Sequence, residues 1–462
     1  MRLFWALTAA VLLGLVPCYS LAQPTLQARI DHATPGDTVV VDGGTHHGPL
    51  VIDQPIALVG TNGAHLKGDE QAHVVTITAD DVTLDGFRVT GSGTKLEQDH
   101  AGVMVKGHRA TLRENRLADV LHGIYVKGKD RTIITQNRIQ GPPIASRHVT
   151  HDEAARYDDC SVPPTGGSCE VPLVSAQRGN GIHLWNALHS RLTHNTVRRT
   201  RDGIYFSHSD DTHTAHNRIE HVRYGLHFMY SDDNHFSENV FAQNVSGSAL
   251  MYSARIDVRN NDFRDNRTKN GYGLLLQSVD QSTFTNNRLE GNMTGLYLEN
   301  SSANTFRGNT VRSNFRGMRL TGSSTDNSFS RNVVQANLQT AQLSGVSATN
   351  SWSIDGVGNF WGTRGLLDVN ADGISEMPRR VVDVLGTGST DFPYAGLLAS
   401  SPGVQTLSFA LRRAPLPGVP QILDPHPLMR PRGNGQTGMP GWLALVMGGL
   451  AAALILIRRP NA

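Results

Sequence analysis

The strongest constraint on the fold of this chain is a repeat in which a glycine, or once an alanine, is followed by alternating apolar residues. The motif recurs at Gly102, Gly123, Gly181, Gly203, Gly225, Ala249, Gly273, Gly295 and Gly317. Successive positions lie 21, 58, 22, 22, 24, 24, 22 and 22 residues apart. The repeat is therefore about 22 residues long and is interrupted by one long insertion, and a fixed period of this length is typical of stacked repeat architectures.

An asparagine ladder runs in phase with the glycine motif. It consists of Asn115, Asn137, Asn195, Asn217, Asn239, Asn261, Asn287, Asn309 and Asn332. Each period contains two short segments in which apolar and polar residues alternate, as in β-strands, and two segments typical of turns. It shows no helical periodicity. The sequence predicts an all-β protein, a right-handed parallel β-helix with coils of about 22 residues and one apolar core. Because Asn and Gly suit turns, both ladders are assigned structural roles.

Both ends of the chain carry apolar segments. Residues 1–22 predict a secretory signal peptide, because Arg2 precedes an apolar run that ends at a small-residue cleavage pattern. We assign residues 23–365 to the β-helix, 366–431 to a C-terminal cap and extended arm, and 432–440 to a linker. The uncharged run 441–457, which two arginines follow, is either a transmembrane anchor that leaves the body outside the cytoplasm or a sorting tail.

The mature chain keeps two cysteines, Cys160 and Cys169, in an insertion at 141–178. In an exported protein an even pair predicts one disulfide bridge, and a two-thiolate metal site is the alternative. The formal net charge is +2, and the sequence has no basic stripe with interleaved aromatic residues. Nucleic acid is therefore not expected as a partner.

Strand alternation separates the residues of each repeat into an inner and an outer face. The outer positions of the middle coils carry soft donors and aromatic rings, which we call the outer strip: His183, Tyr205, His227, Met229 and Met251. We expect this strip to be exposed, with His227 and Met251 at equivalent positions of neighbouring coils, about 4.8 Å apart. Imidazole and thioether groups suit Cu(I) better than Mg or Ca. The alternatives are docking of another protein and stacking of a sugar.

Enzymatic function would need acidic groups, because many β-helix proteins act on polysaccharides with carboxylates. The outer strip contains neither Asp nor Glu. The best enzyme candidates are Asp202 and Asp232 with His183 and His227, and both aspartates are expected in turns. We therefore expect a protein that is not an enzyme, with a polysaccharide-modifying enzyme as the alternative.

A short segment of the C-terminal region has the opening of a calcium-loop pattern. Asp368, Asn370 and Asp372 supply oxygen atoms at alternate positions, and Gly373 follows them. The twelfth position of the pattern is Arg379 rather than Glu. Calcium binding and a plain turn rich in Asp and Asn both remain open.

Several segments resemble the signature segments of the NosD family: Gly179 to Asn186, Asp202 to Tyr205, Arg223 to Ser231, Ala249 to Ser253, Gly358 to Trp361 and Asp424 to Met429. The resemblance extends from about Gly36 to Met429. It implies a periplasmic β-helix that docks on the membrane subunit of an ABC transporter, cooperates with a copper chaperone lipoprotein and helps assemble the copper centres of nitrous-oxide reductase. It also makes His426 and Met429, besides the residues of the outer strip, candidates for transient copper binding or partner docking. The cysteine-bearing insertion and the C-terminal apolar run depart from the family pattern.

Overall fold

A computed structural model describes residues 24–141, 146–149, 169–172, 178–269, 271–321, 323–344, 349–363, 365–382, 398, 401–414 and 421–431. In these residues the chain winds into twelve coils, and each coil contributes one strand to each of three parallel sheets. The predicted all-β solenoid with right-handed parallel coils is confirmed. The number of strands per coil was predicted wrongly, because two of the three strands in most coils have only three residues and give too short an alternation to recognise.

The strands are numbered in chain order, and every third strand belongs to the same sheet, except that β15 and β16 of the insertion lie outside this sequence. Sheet 1 contains β1 (Thr38–Asp42), β4 (Ala57–Thr61), β7 (Thr83–Asp85), β10 (Thr111–Arg113), β13 (Ile133–Thr135), β18 (Arg191–Thr193), β21 (His213–Ala215), β24 (His235–Ser237), β27 (Asp257–Arg259), β30 (Thr283–Thr285), β33 (Thr305–Arg307) and β36 (Ser328–Ser330). Sheet 2 contains β2 (Thr45–His47), β5 (His65–Lys67), β8 (Arg88–Thr90), β11 (Arg116–Ala118), β14 (Arg138–Gln140), β19 (Thr196–Arg198), β22 (Arg218–Glu220), β25 (Val240–Ala242), β28 (Asp262–Arg264), β31 (Arg288–Glu290), β34 (Thr310–Arg312) and β37 (Val333–Gln335).

Sheet 3 carries the outer strip. It contains β3 (Leu50–Ile52), β6 (Val75–Ile77), β9 (Ala101–Val105), β12 (His122–Lys127), β17 (Ile182–Trp185), β20 (Asp202–Ser207), β23 (Tyr224–Met229), β26 (Ser246–Ala254), β29 (Tyr272–Asp280), β32 (Thr294–Glu299), β35 (Arg316–Thr321) and β38 (Gln339–Leu343). Among the described residues, two antiparallel pairs of strands lie outside these sheets: β15 (Ser146–Val149) with β16 (Cys169–Pro172), and β39 (Arg379–Val382) with β40 (Gln421–Asp424). The helical segments are α1 (Leu26–Asp31), a 3-10 turn at Leu96–Gln98 and α2 (Pro402–Arg413).

The predicted core residues stack as expected. Ile182, Ile204 and Leu226 are register partners in consecutive strands of sheet 3, and each is at most 1% exposed. Phe284, Phe306 and Phe329 form a similar column in sheet 1, with ring centroids 4.8 and 4.7 Å apart. The apolar faces of the three sheets therefore meet in one continuous core, as stacking of incomplete units requires.

The asparagine ladder has the predicted structural role. The Oδ1 atom of Asn239 accepts hydrogen bonds from the backbone N–H and the side-chain Nδ2 of Asn217, and Asn239 donates in the same way to Asn261. The ladder runs from Asn115 to Asn359. Each amide thus satisfies buried turn groups of the neighbouring coil, which is what buried polar groups need.

Both ends of the solenoid are covered. Leu26 and Ile30 of α1 are buried against the first coil, and the sequence pattern does not predict this helix. At the other end Oδ2 of Asp424 accepts from the backbone N–H of Asn359 at 2.7 Å and from Nε1 of Trp361 at 2.8 Å. Asp424, which lies after residue 365, therefore binds buried groups of the last coil, and the assignment of 366–431 to a cap and extended arm stays a prediction.

Some predicted features lie outside the described residues. These are the signal peptide at 1–22, Cys160 and with it the disulfide bridge to Cys169, the linker at 432–440 and the apolar run at 441–457. Neither helix of the described chain has the length and apolar character needed to cross a membrane. The bridge and the anchor stay predictions.

Candidate functional site

The outer strip lies on sheet 3, but its register differs from the prediction. His183, Tyr205 and His227 are successive register partners, and the next residue in this column is Ala249 rather than Met251. Met251 instead pairs with Met229. The prediction that His227 and Met251 occupy equivalent positions is wrong, because Gly247, not Ala249, takes the place of Gly225, and the following coil is four residues longer.

The outer strip is partly buried rather than exposed, which corrects a second expectation. The ring centroids of His183 and Tyr205 are 4.6 Å apart and those of Tyr205 and His227 are 5.0 Å apart, and both pairs meet edge to face. Met251 packs against Ala249, Leu275 and Tyr297. These side chains therefore do pack within one chain, along the solenoid axis.

Asp202 holds His227 in one orientation. Its Oδ2 atom lies 3.0 Å from Nδ1 of His227, and its two oxygens accept from Nε and an Nη atom of Arg223 at 2.8 and 2.7 Å. The side chains of Asp202, His227 and Arg223 are 1%, 13% and 31% exposed. Burial alone would raise the pKa of Asp202, but the hydrogen bonds from His227 and Arg223 outweigh it and lower this pKa to about 2.

The charge on Asp202 fixes the tautomer of the neighbouring ring. An ionised carboxylate only accepts hydrogen bonds, so Nδ1 of His227 carries a proton. In the neutral ring, Nε2 then keeps a free lone pair. A histidine whose far nitrogen donates to a carboxylate is the usual arrangement for a metal-binding histidine.

His183, one coil before Tyr205, has a neighbouring side chain that can orient its ring in the way that Asp202 orients His227. Its Nδ1 lies 3.4 Å from the amide of Asn180, and Oδ1 of Asn180 and Nε2 of His183 are both buried without a hydrogen-bond partner. Turning the amide brings Oδ1 toward Nδ1–H and leaves a lone pair on Nε2. Burial lowers the pKa of His183 well below its ordinary value, so the ring is neutral at pH 7.

A second column beside the outer strip was missed in the sequence. It consists of the residues that directly precede each motif glycine, including His122, Asp202 and Tyr224. Asp202 pairs with Tyr224 and Ile204 pairs with Leu226, but the register has no pair for the glycines between them. This interruption breaks the strict alternation on which the prediction relied. A polar residue recurring just before the glycine was the signal that could have revealed the column.

His122 contributes structure rather than an open donor atom. Its Nδ1 accepts from the backbone N–H of Asn180 at 3.0 Å, so its lone pair is occupied. Burial lowers the pKa of His122 to about 4. The rings of His122 and His183 are 5.5 Å apart, so His122 forms one wall of the site around His183.

The two candidates from the C-terminal arm lie elsewhere. Nδ1 of His426 is 3.3 Å from Oγ of Ser353, and the backbone N–H of Met429 donates to Gly373. Both residues belong to the cap, about five coils beyond Met251, which corresponds to roughly 24 Å along the axis. The structure does not bring them to the outer strip.

The proposed calcium loop is internally hydrogen-bonded. The carboxylates of Asp368 and Asp372 accept from the backbone N–H groups of Gly373 and Ile374, and Asn370 accepts from that of Asp372. These bonds are those of a turn rich in Asp and Asn. Calcium binding stays a prediction.

The acidic pair of the enzyme alternative is not brought together. Asp202 begins β20, whereas Asp232 follows the end of β23 and contacts Arg255. The two carboxylates therefore lie at opposite ends of the strands of sheet 3, more than about 16 Å apart along the strand direction. A carboxyl group with a pKa of about 2 is also unsuited to donate a proton near neutral pH.

Comparison with known proteins gives two family matches. Residues 165–365, which include the outer strip, match a family described as periplasmic copper-binding protein (NosD). Residues 62–263 match the right-handed β-helix region.

Two relatives are similar over most of their length. Both are named probable ABC transporter binding protein NosD. The one from Pseudomonas aeruginosa is 31% identical over 440 residues, 92% of this chain and 95% of the relative. The one from Stutzerimonas stutzeri is 30% identical, over 84% of this chain and 85% of the relative. Among solved structures, a family 28 exopolygalacturonase from Yersinia enterocolitica is 11% identical with a TM-score of 0.49, covering 71% of this chain and 74% of its own.

Proposed function

Because the chain belongs to the NosD family, we propose that it is an accessory protein that assists copper delivery and assembly of the copper centre of nitrous-oxide reductase. In this role it is exported to the periplasm and works with the membrane subunit of an ABC transporter and with a copper chaperone lipoprotein. The segment 441–457 would hold it at the inner membrane. The names of the relatives and the copper-binding description of the family support this role.

The observation that carries the proposal is the arrangement of His227. Asp202 orients the ring so that Nε2 is the free nitrogen, and Met229 lies two residues further along the same strand face. Met251 pairs with Met229 in the next coil. One imidazole and two thioethers form a soft donor set, which favours Cu(I) over Mg, Ca or Mn.

Copper would be cargo at this place rather than a resident cofactor. His183, with its unpartnered Nε2, lies two coils away from His227 with Tyr205 between them. The separation of two coils is about 9.6 Å, too long for both rings to hold one ion. The two histidines would therefore belong to two separate binding sites that copper occupies in turn. A site with few protein ligands suits transient binding and release.

The test is a variant that removes the soft donors with little change in volume: His227→Gln, Met229→Leu and Met251→Leu together. Hydrophobic swaps of similar size such as Met229→Leu and Met251→Leu usually cost less than about 1.5 kcal/mol. The amide introduced by His227→Gln can still donate a hydrogen bond to Asp202, so the triple variant should fold. We expect it to bind Cu(I) at least about tenfold more weakly in competition with a chromophoric chelator. In cells that carry it as the only copy, the reductase should accumulate with a reduced copper content.

The control is Gln277→Ser, Glu299→Ser and Arg319→Ser, which changes three residues of the same two columns in the following coils. Circular dichroism checks that both variants are folded. The control should retain Cu(I) binding and reductase loading. A folded test variant that loads the reductase fully and binds Cu(I) as the parent does would refute the proposed role of the outer strip.

A further inference from the structure

We propose that Asp211, His213 and His235 form a separate binding site for a divalent transition-metal cation, and that this site binds Cu(II) most tightly and Zn(II) next. The site lies on sheet 1, on a different face from the outer strip. One donor atom from each residue lies within 4.8 Å of the other two. The proposal does not depend on the function proposed above.

The fold places the two imidazoles side by side. His213 begins β21 and His235 begins β24, and the two residues are register partners in consecutive coils. Their ring centroids are 4.7 Å apart, and the ring planes differ by 14°. Because strand pairing fixes both backbones, the two ligands are held close before a metal binds, which reduces the entropy lost on binding.

Asp211 presents one oxygen to this pair. Its Oδ2 atom is held by Nδ1 of His189 at 2.8 Å, and its Oδ1 atom lies 4.0 Å from Nε2 of His213. A distance of 4.0 Å is too long for a hydrogen bond. Two ligands that each lie about 2.1 Å from one ion are separated by roughly 3 to 4 Å. The gap between Asp211 and His213 therefore suits a bridging cation.

The imidazoles have lone pairs to offer. Nδ1 of His235 lies 3.5 Å from Oδ2 of Asp257 but is not aligned for a hydrogen bond. Two nitrogen donors and one carboxylate suit Zn(II) and Cu(II), and Cu(II) is the most tightly held of the divalent series.

The solvent exposure of the three residues decides what kind of site this is. Their side chains are between 37% and 53% exposed, so water can complete the coordination. A site with three protein ligands and an open position exchanges its metal more readily than a closed one. It therefore suits reversible acquisition of a cation rather than a structural role.

The experiment titrates the full chain with Cu(II) alone and follows it by calorimetry and electron paramagnetic resonance. The test variant is His213→Gln with His235→Gln. The matched control is His194→Gln with His216→Gln, which removes another stacked histidine pair, 4.8 Å apart. Glu238 lies 3.4 Å from His216, but within the described part of the chain this pair forms no cluster of three donor atoms that all lie within 4.8 Å of one another. We expect the test variant alone to lose one equivalent of Cu(II) and the associated nitrogen hyperfine signal.

A further variant, His189→Ala, releases Asp211 without removing a ligand. It should weaken Cu(II) binding by about 10- to 100-fold, as is usual for groups that orient a metal ligand. Unchanged Cu(II) binding in the test variant would overturn the proposal, and so would an equal loss in the control variant. Failure here leaves the Cu(I) and reductase assays of the outer strip unaffected, so the two proposals are tested separately.

Discussion

Replacing Asp202 by Asn should destabilise the protein by an amount that can be worked out from its surroundings. Asn keeps the shape but removes the charge that faces Arg223 and His227. Breaking a buried ion pair by removing one partner costs about 3 to 5 kcal/mol. Because Arg223 is 31% exposed, solvent offsets part of this loss, and we expect about 2 to 4 kcal/mol.

The partner substitution separates this effect from simple loss of packing. Arg223→Met removes the cation, so Asp202→Asn combined with Arg223→Met should recover about 1 to 3 kcal/mol relative to the sum of the single variants. Urea denaturation of the metal-free protein measures all four free energies of unfolding. A cost below about 0.5 kcal/mol for Asp202→Asn, or strict additivity in the double variant, would show that the ion pair does not stabilise the fold.

The same variant has a distinctive pH dependence. The pKa of Asp202 is about 2 in the folded chain, below its ordinary value of 3.8. Its contribution to stability is therefore fully present above about pH 4 and is lost as the pH falls toward 2. The acid destabilisation of the parent should thus be steeper than that of Asp202→Asn, measured by unfolding at pH 5, 4 and 3.

Three further predictions concern the scaffold. Asp424→Ala leaves Asn359 N–H and Trp361 Nε1–H without an acceptor, so unfolding should become easier by about 2 to 5 kcal/mol and hydrogen exchange should rise first in residues 349–363. Gly203→Ala places a Cβ atom 2.7 Å from a carbonyl oxygen and should lower the melting temperature, whereas Gly403→Ala, with open space, should not. Because burial lowers the pKa of His122 from 6.5 to about 4, the parent should lose up to about 3 kcal/mol of stability as the pH falls from 6.5 toward 4, and His122→Asn should not show this loss.

The core and the turn ladder could be read from the sequence because both obey one period. Leu226 and Phe228 point inward by simple alternation, and Asn217 and Asn239 recur 22 residues apart. The loss of the period marks where the regular coils end, but it does not predict the contacts made beyond that point. The bond from Asn359 to Asp424 joins residues 65 apart, and no local pattern predicts such a pairing.

The candidate site was only half predictable. His227 and Met229 follow from alternation, whereas the sequence pattern predicts a turn at Asp202, because the regular alternation begins only after Gly203. The strand instead begins at Asp202 and is interrupted at Gly203. Likewise the glycine spacing around residue 249 could be aligned in two ways, and only the strand register shows that the extra residues fall between β28 and β29.

The insertion at 141–178 has a consequence for how such chains can diversify. Ile139 pairs directly with Val197 and Asn137 bonds to Asn195, so the core continues across the 58 residues as though the insertion were not there. Its two ends are held at one corner by neighbouring coils, and doubling such a loop costs only about 0.6 kcal/mol in closure entropy. The returning chain reaches Asn180 beside His183. The length and sequence of the insertion can therefore change in evolution while the coils on either side of it keep the same register.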